Sequence, residues 1–292
     1  MLLLGRTGQV GWELDRSLLP LGEVIAPSRG EAEFSHPESL RNIVRESGAD
    51  VIVNAAAYTE VDNAERAPEL TRAINALAPG VLAQEAKRRG AWLIHYSSDY
   101  VFDGSGDKPW METDPTSPLS VYGKTKLDGE DAIRATGCQH LIFRTSWVYS
   151  TRGGNFAKTM LRLAQERDYL TVINDQIGTP TSADLLADVT AHAIRTALQR
   201  PGVSGLYHLV ANGHTSRHDY ATFVINFARQ AGIEIKVAPE AIQPVPTSAF
   251  PLPALRPKNS RMDISKLQNT FGLNLPHWQI GITRMLTEIF EK

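Results

Sequence analysis

The stretch Gly5-Arg6-Thr7-Gly8-Gln9-Val10-Gly11 decides the fold that we predict for this chain. It follows an apolar run, residues 2–4, and leads into an amphipathic segment, residues 9–19, so its three glycines fall between a predicted strand and a predicted helix. Glycine permits the tight turn and lets backbone amides approach a pyrophosphate, which the positive end of the helix dipole also favours. The stretch therefore predicts a dinucleotide-binding Rossmann unit.

The pattern around this turn continues through the first half of the chain. Short apolar runs alternate with longer amphipathic segments, the order typical of βαβ units around a parallel sheet. The predicted strands are residues 2–4, 24–26, 51–54, 92–96 and 141–144, and the predicted helices are residues 9–19, 37–46, 70–89 and 119–135. Because the first strand, of about four residues, is shorter than usual, we expect the natural chain to begin a residue or two earlier.

Beyond residue 144 the alternation loosens. Helices are predicted at 156–166, 183–198, 219–231 and 279–290, strands at 170–173, 206–209 and 233–237, and a proline-rich stretch at 244–257. We expect an α/β protein, a Rossmann-type doubly wound parallel sheet with a smaller, interleaved C-terminal substrate lobe. The dinucleotide-binding domain is predicted to take residues 1–147, with 172–200 returning to it, and the substrate-binding lobe to take 148–171 and 201–292.

Composition excludes several classes of function. The chain has 292 residues, 42% of them hydrophobic, and a formal net charge of −2 with scattered basic residues, so no nucleic-acid partner is expected. The single cysteine, Cys138, cannot form an internal disulfide, which fits a reducing compartment. The apolar start ends at Gly5, far short of a signal peptide or of the roughly 20 residues of a membrane span. A cytoplasmic protein with no membrane partner is expected.

A possible proton-transfer site follows the fourth predicted strand. Tyr122 and Lys126 are four residues apart, so they share one face of the predicted helix and the ammonium can stabilise the phenolate of Tyr122. The phenol thereby becomes a usable proton donor. Ser97-Ser98-Asp99-Tyr100 stands at the end of the strand that precedes this helix.

The end of the second predicted strand bears on the choice of cofactor. An NAD-specific site carries an acidic residue there for the ribose 2′-hydroxyl, whereas this chain has Pro27-Ser28-Arg29. Arg29 or Arg6 could pair with a 2′-phosphate, so NADPH is favoured and NADH is the alternative. The competing interpretation is that Arg29 is a solvated surface charge.

The chain resembles the dTDP-4-dehydrorhamnose reductases, a family of extended short-chain dehydrogenases/reductases. The resemblance runs nearly end to end and is carried by GQVGWEL (8–14), VNAAA (53–57), HYSSDYVF (95–102), YGKTK (122–126), RTSWVY (144–149), NFAKTM (155–160), DQIGTPT (175–181) and RPKNSR (256–261). It implies reduction of the C4 ketone of dTDP-4-dehydro-L-rhamnose, the last step of dTDP-L-rhamnose synthesis for bacterial surface polysaccharide.

The resemblance also implies residue roles. Tyr122 would be the proton donor, Lys126 would tune it and hold the cofactor ribose, and Ser98 would orient the carbonyl and the tyrosine. Ser98, Asp99 and Trp147 would contact the nucleotide sugar. The cofactor would lie against Gly5, Thr7, Gly8, Gln9, Val10, Gly11, Ser28, Arg29, Glu33, Phe34, Ala55, Ala56, Ala57, Tyr58, Thr59, Tyr122 and Lys126.

Two departures from the family pattern and two further implications complete the comparison. Ser98 stands where threonine is common, and Ser28 stands where some members have aspartate, which leaves the choice between NAD and NADP open. Family members are often homodimers, and some hold Mg²⁺ between subunits. The candidate magnesium ligands are Glu13, Asp184 and Glu288.

The neighbour of Asp99 separates reduction from dehydration. Related 4,6-dehydratases carry an Asp-Glu pair there because elimination of water needs an additional acid and base. Tyr100 follows Asp99 in this chain, so simple keto reduction is favoured. Two alternatives stay open: a non-catalytic regulatory protein, since the fold also occurs as a regulatory subunit of methionine adenosyltransferase, and an epimerase or reductase of another nucleotide sugar.

Overall fold

The computed structural model describes residues 1–291, and its strands alternate with helices from the first residues onward. The strands are β1 (Leu2–Leu4), β2 (Val51–Asn54), β3 (Trp92–Ser98), β4 (His140–Thr145), β5 (Val148–Tyr149), β6 (Leu170–Ile173), β7 (Ile177–Gly178), β8 (Thr181–Ser182), β9 (Gly205–His208), β10 (Thr215–Ser216) and β11 (Ile242–Val245). The helices are α1 (Gln9–Ser17), α2 (Leu40–Ser47), α3 (Val61–Ala64), α4 (Pro68–Arg72), α5 (Ala78–Arg89), α6 (Val121–Thr136), α7 (Phe156–Glu166), α8 (Ala183–Gln199), α9 (Arg217–Gln230), α10 (Ser265–Phe271) and α11 (Trp278–Phe290).

A five-stranded parallel sheet lies at the centre, in the order β1-β2-β3-β4-β9. Its strands read as continuous apolar runs because helices cover both faces. On one face Leu3 and Val53 pack with α1 and α8, and on the other Leu4 and Ile52 pack with α2 and α5. The buried Cys138 belongs to the second of these cores. The predicted doubly wound sheet is confirmed.

The lobe beyond the sheet is built from short strand pairs and three helices. β5 pairs with β8, β6 with β11 and β7 with β10, while α7, α9 and α11 enclose two smaller apolar cores. β9 comes from the range assigned by sequence to the lobe, yet it pairs with β4 in the central sheet. The return to the sheet, expected to end at residue 200, therefore extends through β9. Within residues 1–291, every helix is too short or too polar to cross a membrane.

Three predicted elements differ from the structure. Residues 24–26 contribute only one bridge, between Ile25 and Leu2, and the predicted helix 70–89 is interrupted by a π-helical turn, Ala73–Leu77. The predicted strand 233–237 is wrong, because the amides of Lys236 and Val237 donate to the carbonyl oxygen of Ala164 at the end of α7. β11 takes the place beside β6 instead.

Candidate active site

The carboxyl ends of β1, β2, β3 and β4 meet at one edge of the sheet, which is where the segments singled out by sequence lie. In open parallel sheets this edge is the usual ligand-binding crevice. Each strand delivers a different part of the site. β1 runs into the glycine turn of residues 5–11, and β2 runs into the alanine run of residues 55–57. β3 ends at Ser98, and β4 is followed by Trp147.

The glycine turn is shaped so that only glycine fits at two positions. Gly5 has φ +86°, and a Cβ there would lie 2.7 Å from the Ala56 nitrogen. A Cβ at Gly11 would lie 2.0 Å from the Gly5 carbonyl oxygen. α1 starts at Gln9 without a side-chain cap and without an acidic residue in its first turn. The turn and the uncapped helix amides fit the pyrophosphate of a dinucleotide.

The adenosine end of the predicted cofactor site contains an acid that the sequence analysis missed. The Ser28 amide donates to Oε2 of Glu31 at 2.7 Å, and hydrogen bonds from Ser28 lower the pKa of Glu31, so this carboxyl is ionised at neutral pH. Arg6, one of the two arginines predicted to pair with a 2′-phosphate, donates to Asp15 at 3.0 Å. The other, Arg29, lies within this loop and is exposed. Glu31 is three residues beyond Ser28, the position at which the sequence pattern for NAD specificity expects an acidic residue.

Glu33 and Phe34, which the resemblance places against the cofactor, are divided between surface and core. Phe34 is 8% exposed and packs in the apolar core with Leu4, whereas Glu33 accepts a hydrogen bond from Ser35 at 2.7 Å. The ring of Phe34 therefore supports the loop from beneath.

The loop after β2 is held by a residue that no periodicity pattern indicated. Asn75, in the π-helical turn, accepts from the Tyr58 amide at 2.9 Å and donates to the Tyr58 carbonyl at 3.1 Å. These two bonds fix Tyr58 directly after the run Ala55, Ala56 and Ala57, whose half-buried side chains lie at the sheet edge before the exposed Thr59. The small side chains leave room above the glycine turn.

Ser98 and Tyr122 come together where β3 ends and α6 begins. α6 is capped by Ser120, whose Oγ accepts from the Gly123 amide at 3.2 Å. A Cβ at Gly123 would lie 2.2 Å from the Tyr100 carbonyl oxygen, so glycine allows the helix to approach the strand end closely. Burial raises the pKa of Tyr122 above its usual value, and a hydrogen bond with Ser98 partly opposes this effect. Tyr122 therefore carries its proton at neutral pH.

Lys126 lies on the Tyr122 face of α6 but makes its hydrogen bonds to β3. Nζ donates to the Tyr96 carbonyl oxygen at 2.6 Å and lies 3.4 Å from Nε2 of His95. The side chain is buried, and burial lowers the pKa of Lys126 to about 8, against a smaller opposing effect of Glu130. Sequence predicted the pair of Tyr122 and Lys126, and His95 was not anticipated.

Asp99, which the resemblance assigns to the substrate, is a buried acid. Asp99 is 2% exposed, and burial raises its pKa to about 6. Its Oδ1 accepts from Ser98 Oγ at 2.9 Å, the nearby Ser260 hydroxyl partly opposes the rise in the Asp99 pKa, and Oδ2 has no hydrogen bond of good geometry within residues 1–291. An unpartnered buried carboxylate oxygen is a binding position for a donor such as a sugar hydroxyl.

Trp147 is held in a strained conformation. It is the one non-glycine residue between 1 and 291 with positive φ, at 47°. The Arg217 guanidinium stacks 3.7 Å from the centroid of its ring, and a Cβ at Gly178 would lie 2.7 Å from the ring. Backbone strain of this kind persists where the surroundings impose it, commonly at functional sites.

Two arginines that sequence reasoning missed add positive charge here. Arg217, on α9, has no carboxylate within ion-pair distance in the described chain, and burial lowers its pKa. Arg256 pairs with Asp62 at 2.7 Å and also approaches Tyr100. Both lie far along the chain from Asp99 and Tyr100, so no local motif links them. The charge of Arg217 suits an anionic substrate, whereas that of Arg256 is already paired with Asp62.

The proposed magnesium ligands form no recognised metal site. Within residues 1–291 no group of three histidine, cysteine, aspartate or glutamate side chains is placed to hold a metal ion. Burial and the nearby carboxylates of Asp184 and Glu288 raise the pKa of Glu13, but Arg284 pairs with Asp184 at 3.1 Å. Nothing in this arrangement supports Mg²⁺.

Comparison with known proteins gives matches over the whole chain. The model of the RmlD substrate binding domain matches residues 1–290. The dTDP-4-dehydrorhamnose reductase of Salmonella typhimurium is 58% identical over 294 residues, covering 99% of this chain and 98% of that protein. The crystal structure of a Clostridium acetobutylicum dTDP-4-dehydrorhamnose reductase has a TM-score of 0.88 at 34% identity, covering 99% of this chain and 98% of that one. A Bacillus anthracis enzyme of the same name, in complex with NADP, has a TM-score of 0.88 at 31% identity, covering 98% of each chain.

Proposed function

The chain belongs to the family defined by the RmlD substrate binding domain, and we propose on this basis that it reduces the C4 ketone of dTDP-4-dehydro-L-rhamnose to dTDP-L-rhamnose. It is an oxidoreductase that uses a nicotinamide cofactor. The observation that carries the proposal is the joining of Ser98 and the protonated Tyr122 at the sheet edge that also bears the glycine turn. The site thus combines a turn that can hold a hydride-donating cofactor with a proton-donating side chain.

The reaction needs one hydride and one proton. The glycine turn and the alanine run would hold the nicotinamide cofactor, which would supply the hydride to C4. Once the ketone is bound, the Ser98 hydroxyl turns from Asp99 Oδ1 to donate to the C4 oxygen, and the Tyr122 phenol transfers its proton to that oxygen as the alcohol forms. Lys126, one helical turn along, holds the cofactor ribose and offsets the charge left on Tyr122. Tyr122 regains its proton from solvent.

Recognition of the substrate divides between a sugar end and a phosphate end. Asp99 accepts from a sugar hydroxyl with its Oδ2, and the Trp147 ring, which stacks 3.7 Å from the Arg217 guanidinium, holds that cation in place. Arg217 offers a cation to the diphosphate. Tyr100 stands where a dehydratase has a second carboxylate, so the acid and base that remove water are incomplete.

The reaction is tested by mass spectrometry and cofactor absorbance. With dTDP-4-dehydro-L-rhamnose we expect one NADPH oxidised per product and a mass gain of two hydrogens. With dTDP-glucose we expect no loss of water. A dehydrated product from dTDP-glucose would overturn the assignment, and an absence of cofactor oxidation with any nucleotide 4-ketosugar would favour the non-catalytic alternative.

For the cofactor we propose that NADPH binds at least as tightly as NADH, with Arg29 pairing with the 2′-phosphate. The Glu31 carboxylate, held by Ser28, opposes that phosphate, so Glu31→Gln should raise the affinity for NADPH over NADH about three- to tenfold. Ser28→Asp should shift the preference toward NADH. Calorimetric titration of both cofactors checks this, with Glu46→Gln, an exposed charge change on α2, as control. A wild type that strongly prefers NADH would contradict the proposal.

Assembly and location also stay proposals. A homodimer is proposed from the family resemblance, and sedimentation equilibrium would measure it. A cytoplasmic location is proposed from the lone cysteine.

A further inference from the structure

A buried chain of hydrogen bonds joins the loop after β2 to Lys126. The Ala56 amide donates to Oδ1 of Asn54 at 3.1 Å, Asn54 Nδ2 lies 3.1 Å from Nδ1 of His95, and His95 Nε2 lies 3.4 Å from Lys126 Nζ. The side chains of Asn54, His95 and Lys126 are 1%, 1% and 2% exposed. Solvent therefore does not compete for these contacts.

The bond from the Ala56 amide to Asn54 determines which nitrogen of His95 carries the proton. Because Oδ1 of Asn54 is taken by the Ala56 amide, the group that faces His95 is the Asn54 NH₂, a donor. The His95 Nδ1 must then accept, so a neutral ring carries its proton on Nε2. Burial and the charge of Lys126 lower the pKa of His95 far below its usual value, which keeps the ring neutral.

We propose that Asn54 and His95 are positioning residues that set the protonation of Lys126, because the Nε2–H of His95 faces Nζ and opposes its ammonium form. Two N–H donors facing each other repel, whereas a neutral amine accepts from Nε2–H while donating to the Tyr96 carbonyl. This inference rests on the proposed function, in which Lys126 acts beside Tyr122.

The other charged groups around Lys126 do not counteract this arrangement strongly. Glu130, one turn along α6, favours the ammonium, but it is held in a two-bond ion pair with Arg144 of β4 at 2.9 and 2.7 Å. β3 presents His95 and the Tyr96 carbonyl, and α6 presents Tyr122, whose pKa burial raises. As pH rises, Lys126 therefore loses its proton before Tyr122 does. The basic limb of kcat/KM reports Lys126.

Asn54→Asp is the informative variant. An aspartate of the same shape still accepts from Ala56 but also accepts from His95, which moves the ring proton to Nδ1 and turns Nε2 into an acceptor for the ammonium. The basic limb should move up by about one pH unit or more. His95→Gln can keep an NH₂ toward Lys126 and should leave the limb within about 0.3 unit of wild type. The double variant retains the added carboxylate without the imidazole, so it measures the direct charge effect, and most of the upward shift should be lost.

Nitrogen-15 spectra of the wild-type imidazoles provide a readout independent of activity and of variant folding. We expect the His95 ring to be neutral with its proton on Nε2. A proton on Nδ1, or a basic limb that Asn54→Asp leaves unchanged, would overturn the inference. Failure of the proposed function is recognised separately, as wild-type protein that oxidises no NADPH with the ketosugar.

Discussion

The hydroxyl group of Tyr122 is needed for proton transfer but not for cofactor binding in the proposed mechanism. Tyr122→Phe keeps the ring that packs edge-on against Tyr100, with centroids 5.3 Å apart, but removes the proton donor. Cofactor affinity should stay within about twofold, whereas kcat should fall by about 10² to 10⁴, the range for loss of a positioned general acid. Fluorescence titration and steady-state kinetics measure the two quantities.

A matched tyrosine provides the control for that substitution. Tyr207 is buried, whereas Tyr122 is half-buried, and the Tyr207 hydroxyl donates to the Val203 carbonyl at 2.6 Å, outside the active site. Tyr207→Phe should lower stability modestly and leave kcat within about twofold of wild type. Near-normal turnover by Tyr122→Phe would remove Tyr122 from the mechanism.

At the scale of elements, β7 and the segment before β5 support each other through one contact. Gly178→Ala would place a methyl 2.7 Å from the indole of Trp147, on which the Arg217 guanidinium stacks. We expect the indole to tilt and the KM for the nucleotide sugar to rise about tenfold or more, with the KM for NADPH unchanged. Gly202→Ala, at a glycine with open space around it, should leave both values unchanged. Equal changes in both KM values would contradict the role given to Trp147.

The strands and helices around the glycine turn were predictable because their determinants are local. Glycine spacing, apolar runs and the four-residue spacing of Tyr122 and Lys126 all act within one turn or one element. Arg217 and Asn75 were not predictable, since each reaches the site through contacts between segments distant in the chain. The same limit explains residues 233–237, whose alternation of apolar residues is satisfied against α7 and α9 instead of in a sheet.

The stability of the whole molecule should depend on pH through Asp99. Burial raises its folded-state pKa to about 6 from the ordinary 3.8, so the folded protein binds the proton more tightly than the unfolded chain. The contribution of Asp99 to the free energy of unfolding therefore falls as pH rises through that window, by at most roughly 3 kcal/mol.

Asp99→Asn tests this dependence because it removes the charge and keeps the shape. The variant should be more stable than wild type at pH 7, the difference shrinking as pH falls through the same window, and it should bind the nucleotide sugar less tightly. Urea unfolding across pH measures the first effect. An identical pH dependence in variant and wild type would show that Asp99 is not destabilised by burial.

The single cysteine, Cys138, is buried, so the rate at which it is labelled reports local opening of the folded protein. Cys138 is 4% exposed in the core beneath the sheet, and burial raises the pKa of its thiol, so both access and thiolate content are low in the folded state. A maleimide pulse would therefore label only molecules in which the region around α5 and β4 has separated. The labelling rate would be measured with and without NADPH. The difference would report how far an occupied cofactor site slows local opening around the Cys138 sulfur, and no engineered probe is needed.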